Sequence, residues 1–297
     1  MDRFDAMSVL LVVVEEGSLS AGARRLRAPL PTVSRKVAEL ERHLGTQLLI
    51  RTARRLELTE AGQAYVVASK LILEQVEQAE RMAAGEYIVP RGELTITTPI
   101  MFGRRHVLPI AAEFLNEHPN ITLQVYFAEK TLSLAEEHVH VAVRIGELTD
   151  NTFMATRVGS VRRIVCASPG YLARRGTPKT PDDLCQHDAI TIPGFVETLA
   201  WQFMQDGKPV SIEIRSRVAV NITEAALDAA LAGLGVAHLL SYQITEELQS
   251  GALVPLLEEF ALPPLPVSLV YPAQGLLPLK VRAFLNWTAP RLRARLG

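Results

Sequence analysis

The sequence has few of the features that mark secreted or membrane proteins. It contains two cysteines in 297 residues, Cys166 and Cys185, and no framework spacing, which favours a reducing cytoplasm over a disulfide-stapled fold. Its most apolar early run, VLLVVV at 9–14, is followed at once by two glutamates. That run is too short to span a bilayer and has no basic leader or cleavage site. We therefore expect a cytoplasmic protein without a membrane segment.

The chain also lacks a net charge of either sign. Its formal net charge is -1 and 48% of its residues are hydrophobic, so it can bury a core, disorder is not expected, and two or three domains fit its length. The balance hides a local excess, because between positions 24 and 55 nine basic residues stand against two acids, Glu39 and Glu41. The basic residues are Arg24, Arg25, Arg27, Arg35, Lys36, Arg42, Arg51, Arg54 and Arg55. A solvated face is the ordinary explanation of such a cluster, and a polyanionic partner is the functional one.

The first 45 residues predict three short helices. One face of the first helix is marked by Phe4, Met7, Leu11 and Val14. Gly17 ends it and Ser18 caps the second helix, LSAGARRL. Pro29 disfavours a helical residue before it, so the chain turns there, and the third helix ends at a left-handed Gly45. A tight turn between the last two helices predicts a helix-turn-helix.

The third helix has an apolar and a polar face. The face predicted to be buried carries Val33, Val37, Leu40 and Leu44. The opposite face carries Pro31, Arg35, Ala38 and Arg42, with Thr32 and Ser34 on its flanks. Such a face fits a major groove, where arginine pairs bidentately with guanine. Prolines in the first turn cost little because N–H groups there have no helical partner. Leu30 is expected to pack at the edge of the core, the alternative being contact with a base.

The segment TQLLIRTARRLELT alternates apolar and polar residues and predicts a two-stranded wing. Its arginines Arg51, Arg54 and Arg55 are expected to meet phosphates, which position a protein on DNA without reading sequence. Thr59 then caps a new helix. That helix has a short coiled-coil seam of residues spaced by four and three: Tyr65, Ser69, Ile72, Val76, Ala79 and Ala83. The seam packs either on its own domain or on another subunit. We expect the latter, because the sequence offers no neighbouring helix to cover it.

After the linker GEYIVPRG at 85–92 the chain alternates short apolar strands with helices, which predicts a largely parallel sheet with helical crossovers. The predicted fold class is α/β with an all-α N-terminal part. The expected domains are a winged helix-turn-helix over 1–60, a dimerisation helix and hinge over 61–89, and two α/β lobes over 90–297. The first lobe is expected at about 90–160 and 266–297, and the second at about 161–265.

The segment EEGSLSAGARRLRAPLPTVSRKVAELERHLGTQLLIRTARRLELTEAG closely resembles the DNA-binding end of LysR-type transcriptional regulators. RGELTITTP, HVAVRIG, VCASPGYLARRG and ALAGLGVAHLLSYQ resemble later landmarks of the same family, so the resemblance covers essentially the whole chain. It implies a winged helix-turn-helix, a long dimerisation helix and a two-lobed effector domain similar to periplasmic binding proteins. It also implies self-association, usually as a homotetramer.

The resemblance implies which residues meet double-stranded DNA. The expected set is Ser18, Pro31, Thr32, Ser34, Arg35, Lys36, Arg51 and Arg54. Three positions depart from the family pattern, which often has serine and glutamine where this chain has Pro29 and Leu30, and alanine at Gly22. Because that glutamine is a base contact in relatives, their target sequence does not transfer to this chain.

A ligand cleft is expected where strands end and helices begin, because helix N-termini offer free N–H groups and a positive dipole. TTPIMFG follows the first strand of the α/β part, and NITEAA opens a helix capped by Asn221 or Thr223. The segments RIG and TIPGF are further wall candidates by resemblance. The expected effector-binding residues are Thr97, Thr98, Ile100, Met101, Phe102, Arg144, Gly146, Ile192, Phe195, Asn221 and Thr223. For each one, a helix cap or a packed loop is the ordinary alternative, and a small carboxylate is the hypothesis for the ligand.

Other functions find little support in the residues. HVH places His138 and His140 on one face of a possible strand near Glu136, but a packed or surface histidine is expected rather than a metal site. In the family, an aspartate commonly stands where this chain has His140. Cys166 lies in an apolar run and is expected to be buried. We expect no metal and no cofactor. Because no nucleophile elbow, phosphate loop or zinc-binding pair occurs, we predict a DNA-binding regulator rather than an enzyme. The alternative is a small-molecule-binding α/β protein or enzyme without specific DNA recognition.

Overall fold

The computed structural model describes residues 2–51, 56–83, 89–128, 139–148, 153–192, 200–273 and 277–296. Met1–Pro90 belong to one compact unit, and Arg91–Gln274 with Lys280–Gly297 form a second. Within the described ranges no single helix has the length and apolarity to cross a bilayer. The first two helices pass such a test only as a pair bent by 115°, on length and composition alone.

The first unit is a winged helix-turn-helix followed by a long helix. Its elements are α1 (Arg3–Glu15), α2 (Leu19–Arg25), α3 (Leu30–Leu44), β1 (Leu49–Arg51), β2 (Leu56–Leu58) and α4 (Glu60–Ala83). β1 and β2 pair antiparallel. The predicted helix-turn-helix and wing are therefore confirmed.

The ends of these helices follow the predicted capping. Ser18 Oγ accepts a hydrogen bond from the backbone N–H of Ala21 at 3.1 Å, and Thr59 Oγ1 accepts one from Gly62 at 2.9 Å. Gly45 closes α3 with φ of 69°, a left-handed conformation that glycine adopts at little cost. Each prediction succeeded because a cap depends on residues within one turn of it.

The buried face of α1 coincides with the predicted one only in part: Met7 is buried, and Leu11 and Val14 pack against the core. The side chains that α1 buries are those of Ala6, Met7, Val9, Leu10 and Val13. Phe4, placed on the core side by the sequence pattern, is 49% exposed. From Met7 onward α1 is apolar on nearly every side, so helical periodicity alone selects no face. Packing against α2, α3 and α4 selects it instead.

The first turns of α4 also pack locally, which corrects the expectation that no helix covers its seam. α1 contacts α4, Val66 is buried in the core of the unit, and Tyr65 packs against that core. Farther along, Leu71 is 42% exposed and Ile72 37% exposed. The seam is thus covered near its start and open at Ile72.

Two glycines allow close approach of backbone in this unit. A Cβ on Gly22 in α2 would lie 2.8 Å from Val13 Cγ2 and 3.0 Å from Val13 Cα, and a Cβ on Gly62 in α4 would collide with the carbonyl oxygen of Leu48. Here the crossing of α1 and α2 requires the glycine that stands in place of the family's common alanine. The wing likewise seats directly on the first turn of α4.

The second unit contains two five-stranded sheets and their helices. The strands are β3 (Gly92–Thr98), β4 (Ile121–Phe127), β5 (Val141–Ile145), β6 (Phe153–Val161), β7 (Arg163–Ala167), β8 (Asp188–Thr191), β9 (Ala200–Gln205), β10 (Lys208–Glu213), β11 (Arg215–Ala219), β12 (Val236–Leu240), β13 (Val254–Leu256) and β14 (Leu265–Pro272). The α-helices are α5 (Ile100–Phe102), α6 (Leu108–Glu117), α7 (Pro169–Arg175), α8 (Thr223–Leu231), α9 (Thr245–Gln249) and α10 (Leu279–Leu296). A π-helical turn, Gly103–Val107, joins α5 to α6.

The two sheets define two lobes. The sheet of the first lobe has the order β4-β3-β5-β14-β6, and that of the second lobe has the order β11-β8-β12-β7-β13. In the first, β3 pairs parallel with β4 and β5, whereas β14 pairs antiparallel with β5 and β6. The expectation of a largely parallel sheet is therefore met only in part, because two of the four strand pairings are antiparallel. A single strand, β14, runs opposite to the other four, and in the second sheet β7 does the same.

A hairpin of β9 and β10 packs on the second sheet. Its turn residues Asp206 and Gly207 have φ of 51° and 73°, the type I′ geometry that matches strand twist. Trp201, Phe203 and Ile212 of the hairpin join Val165 and Val236 of the sheet in one buried cluster.

Cys166, on β7 of the same sheet, is 0% exposed. Burial, followed by the charge of Glu247, raises the pKa of its thiol to about 12. The prediction that Cys166 is buried is confirmed.

Candidate nucleic-acid interface and ligand cleft

α3 presents one buried and one open face in the first unit. Val33, Val37 and Leu40 are between 0% and 1% exposed, as the period of 3.6 residues predicts. The Arg35 side chain, on the opposite face, is 71% exposed, and its Nε lies 3.9 Å from Glu39 Oε1. Pro31 is exposed, and Thr32 and Ser34 are half-buried on the flanks. The start of α3 therefore offers hydroxyl and guanidinium donors to solvent.

Two other residues of the predicted DNA-binding set have partners within the unit. Lys36 Nζ forms an ion pair with Asp5 of α1, and its side chain is 31% exposed. The Ser18 hydroxyl oxygen is occupied as the cap of α2. Both residues thus help to hold α1, α2 and α3 together, whatever they contact outside the unit.

Leu30, the first residue of α3, is 43% exposed. The expectation that it packs at the edge of the core is therefore not met. Pro29 is the N-cap residue, with φ of -59° and ψ of 135°. Leu30 is therefore the first residue of the helix and lies before Val33, where the buried stripe of α3 begins. Its apolar side chain lies open beside Pro31 at the start of the helix.

The half-buried carboxylate of Glu41 holds the wing to α3. Glu41 Oε1 accepts hydrogen bonds from the backbone N–H groups of Leu48 at 2.8 Å and Leu49 at 3.1 Å. Charge-assisted bonds of this kind are stronger than neutral ones. Arg51 ends β1, whereas its side chain and the predicted phosphate contacts Arg54 and Arg55 lie outside the described residues.

In the first lobe, the predicted ligand residues gather at one sheet edge. β3 and β5 run parallel, with Thr97 opposite Ala142, so Thr98 and Arg144 lie at the carboxyl ends of neighbouring strands. Gly146 follows β5 with φ of 116°. Burial lowers the pKa of the Arg144 guanidinium. Parallel strand ends are where α/β sheets bind ligands.

The second lobe forms a matching edge. β8 and β11 also run parallel, with Thr191 opposite Ala219, so Ile192 and Asn221 follow their carboxyl ends. α8 starts at Thr223 with Ile222 as its N-cap residue and no side-chain cap. The expectation that Asn221 or Thr223 caps this helix was therefore wrong. Phe195 lies outside the described residues.

The two edges face each other through contacts that the sequence did not predict. Phe102 meets Tyr242 edge-on at 5.2 Å between ring centroids, and Arg105 Nη1 donates to the Tyr242 carbonyl at 2.8 Å. Arg104 Nη1 lies 3.4 Å from Glu224 Oε1 in the first turn of α8. The basic pair Arg104 and Arg105, directly after IMFG, was a signal in the sequence, but its partners lie more than a hundred residues away along the chain.

These contacts bury most of the predicted cleft residues of TTPIMFG. Thr97, Thr98, Met101 and Phe102 are at most 5% exposed, as is Thr223 on the other side. Ile100 keeps part of its surface accessible. In this arrangement the lobes are packed together at α5, and Oε2 of Glu224 is buried without a hydrogen-bond partner among the described residues.

His140 has a structural role. Its backbone N–H donates to the Thr95 carbonyl at 2.9 Å, and its Nδ1 accepts from the Thr95 N–H at 3.0 Å. The imidazole thus extends the pairing of β3 beyond β5. His138 and Glu136 lie outside the described residues, and in the part of the chain that is described no group of three metal-ligating side chains occurs.

Comparison with known proteins covers both units. Residues 4–63 match the family model for bacterial regulatory helix-turn-helix proteins of the lysR family. Residues 89–293 match the LysR substrate binding domain. The second match alone spans more than half of the chain.

Relatives match over nearly their full length. An uncharacterized HTH-type transcriptional regulator of Haemophilus influenzae is 31% identical over 95% of this chain and 98% of its own. The HTH-type transcriptional regulator CrgA of Neisseria meningitidis is 32% identical, with 97% and 96% covered. Its solved structure has a TM-score of 0.62 at 30% identity, covering 97% of this chain and 98% of that one. The full-length Vibrio cholerae virulence activator AphB has a TM-score of 0.60 at 26% identity, covering 96% and 97%.

The two acids of α3 provide a matched test of the wing anchor. We expect Glu41→Ala to destabilise the first unit by about 1–3 kcal/mol, because it leaves the N–H groups of Leu48 and Leu49 without an acceptor. Glu39→Ala, which removes a half-buried carboxylate paired only at 3.9 Å with the exposed Arg35, should change stability by less than about 0.5 kcal/mol. Urea unfolding of both variants measures this, and equal losses would show that Glu41 does not anchor the wing.

Proposed function

The chain belongs to the lysR family of bacterial helix-turn-helix transcriptional regulators, and from this we propose that it reads a specific operator through α3 and responds to a small-molecule effector. The observation that carries the proposal is the open face of α3. The Arg35 side chain on this face is 71% exposed, while the apolar stripe on the opposite face of α3 is buried. The relatives are named as transcriptional regulators, and no observation favours an enzyme.

For DNA recognition, we propose that Arg35 reads a base and that Pro31, Thr32 and Ser34 lie in the major groove beside it. Arginine at the start of a recognition helix reaches guanine bidentately, and small side chains permit close approach. Wing arginines such as Arg51 then serve as phosphate contacts. Since Lys36 is paired with Asp5, its share in phosphate binding is expected to be smaller.

For the regulatory part, we propose that 1–60 bind DNA, 61–89 dimerise and 90–297 bind an effector between the strand ends of the two lobes. Arg104 already pairs with one carboxylate, that of Glu224 in the first turn of α8. A small carboxylate effector competes with Glu224 for Arg104 and for the free N–H groups of the helix. Entry requires the lobes to separate at α5, because Thr97, Thr98, Met101 and Phe102 are buried.

For self-association, we propose that the open part of the α4 seam pairs with a second copy of the chain, giving a homodimer and, through further contacts, a homotetramer. Leu71 is 42% exposed and Ile72 37% exposed on this helix. An exposed apolar residue at a seam position, as Ile72 is, is typical of a coiled-coil contact.

Arg35→Ala tests base reading. We expect this variant to lose about 1–3 kcal/mol of discrimination at one base position, because one bidentate contact is removed. The matched control is Arg42→Ala, since Arg42 stands seven residues later on the same helix, about 10.5 Å along its axis. It should weaken all sequences alike. Footprinting and binding titrations at fixed salt measure both, and a uniform loss for Arg35→Ala would make it a phosphate contact.

Ile72→Glu tests the α4 contact. A buried charge at the subunit interface should weaken the dimer at least tenfold, measured by sedimentation equilibrium. Gln63→Glu, which adds the same charge nine residues earlier and therefore on the opposite face of α4, at an exposed position, is the control and should leave the dimer intact. An unchanged dimer in Ile72→Glu would place the subunit contact elsewhere.

A panel of small carboxylates and their amides tests the charge of the effector. We expect calorimetry to show that carboxylates bind more tightly than amides, and that Glu224→Gln raises carboxylate affinity about two- to fivefold by freeing Arg104. The control is Glu113→Gln, which removes the same charge from a residue paired with Arg291 of its own lobe. Tighter binding of the amides would contradict an anionic effector.

A further inference from the structure

The second lobe contains a cavity that is separate from the strand-end cleft. It lies between the sheet, the β9–β10 hairpin and the chain that follows β13. Its volume is about 40 Å³, and none of the predicted effector residues lines it. The lining combines apolar side chains, among them Phe203, Leu256 and Leu262, with the charged or titratable groups of Arg162, Arg163 and His238.

Arg163 and His238 lie on the same face of the second sheet. His238 pairs with Val165 and Leu240 pairs with Arg163 across β12 and β7. Because alternate residues of a strand share a face, Arg163 and Val165 point to the side on which His238 lies. The hairpin covers this side, where the His238 ring is 5.1 Å from Trp201 and stacked 6.2 Å from Phe203.

Neither polar group has a partner among the described residues. The side chains of Arg163 and His238 make no hydrogen bond or ion pair there, whereas Arg175 and Arg217 of the same lobe both pair with Asp188, at 3.5 and 3.0 Å. Arg163 is half-buried, and burial lowers the pKa of its guanidinium. Its N–H groups are therefore open to an acceptor that enters the cavity.

The electrostatics of the cavity favour the same conclusion. Burial, followed by the charge of Arg163, lowers the pKa of His238 to about 4, so the imidazole is neutral near pH 7. The lining includes one carboxylate, that of the exposed Glu258, against two guanidinium groups. The interior of the cavity thus presents a positive Arg163 beside a neutral ring and an apolar floor.

We infer that this cavity is a second ligand site that binds a short monocarboxylate of two or three carbons, with the carboxylate on Arg163 and the alkyl end on Phe203 and Leu256. Its size sets the limit. One water-sized group needs roughly 10–15 Å³, so the cavity holds about three. A carboxylate paired with arginine makes strong, charge-assisted hydrogen bonds, and the alkyl end displaces water from apolar surface.

The test is a titration of the full-length protein with propionate at constant ionic strength, followed by the ring signals of His238 in NMR spectra. A bound anion beside the imidazole favours its charged form. We therefore expect saturable shifts of these signals and a raised pKa of His238. Propionamide, the neutral analogue, should bind at least about tenfold more weakly. Equal binding of propionamide, or shifts that chloride reproduces, would overturn the inference.

Three variants locate the binding. Arg163→Gln should weaken propionate at least about tenfold, while Arg215→Gln, which removes the same charge from the opposite edge strand of the sheet, should not. Ala261→Trp, at an exposed position on the cavity lining, should block entry without touching Arg163. Arg104→Gln, in the strand-end cleft, should leave the His238 signals of the propionate titration unchanged. If Arg104→Gln abolishes these shifts, or if Arg163→Gln and Ala261→Trp both keep wild-type affinity, the cavity is not the site.

Discussion

The burial of one stripe of α3 is the constraint on which the orientation of its outward face depends. Val33, Val37 and Leu40 are almost fully withdrawn from water, at about 1.5–3 kcal/mol for each side chain. Because a helix is a rigid cylinder, fixing this stripe fixes the opposite one. Burial of these three apolar residues directs Arg35 outward. The hydrogen bonds of Glu41 then hold the wing against the same helix.

Some of the charged side chains near α3 are paired within the first unit, whereas others are open to solvent. Lys36 is paired with Asp5 and Glu41 with backbone donors, so much of the charge near α3 stabilises the unit. The remaining basic groups, Arg35 among them, lie open. In the second unit the link between Arg104 and Glu224 joins the lobes in the same way. Arg163 differs from these residues, since it is half-buried and has no partner among the described residues.

Local features of the fold were predictable from sequence, and the buried sides of its elements were less so. The caps Ser18, Thr59 and Gly45 follow from interactions within a single turn. The buried face of α1 was predicted only in part, because a helix that is apolar nearly all round has no preferred side until its neighbours are placed. The parallel sheets were also predicted only in part, because strand direction depends on where a returning strand such as β14 enters. The DG turn between β9 and β10 was a usable hairpin signal that the sequence reading missed.

The candidate sites divide along the same line. The sequence by itself determined the helix-turn-helix, the outward stripe of α3 with Arg35, and the strand ends that the lobes present, because each depends on periodicity or on residues close along the chain. Only the tertiary structure decided that Lys36 is paired, that Leu30 is exposed and that Arg104 meets Glu224. It alone also placed Arg163 and His238 in one cavity. These facts rest on contacts between distant segments, and no short-range pattern encodes them.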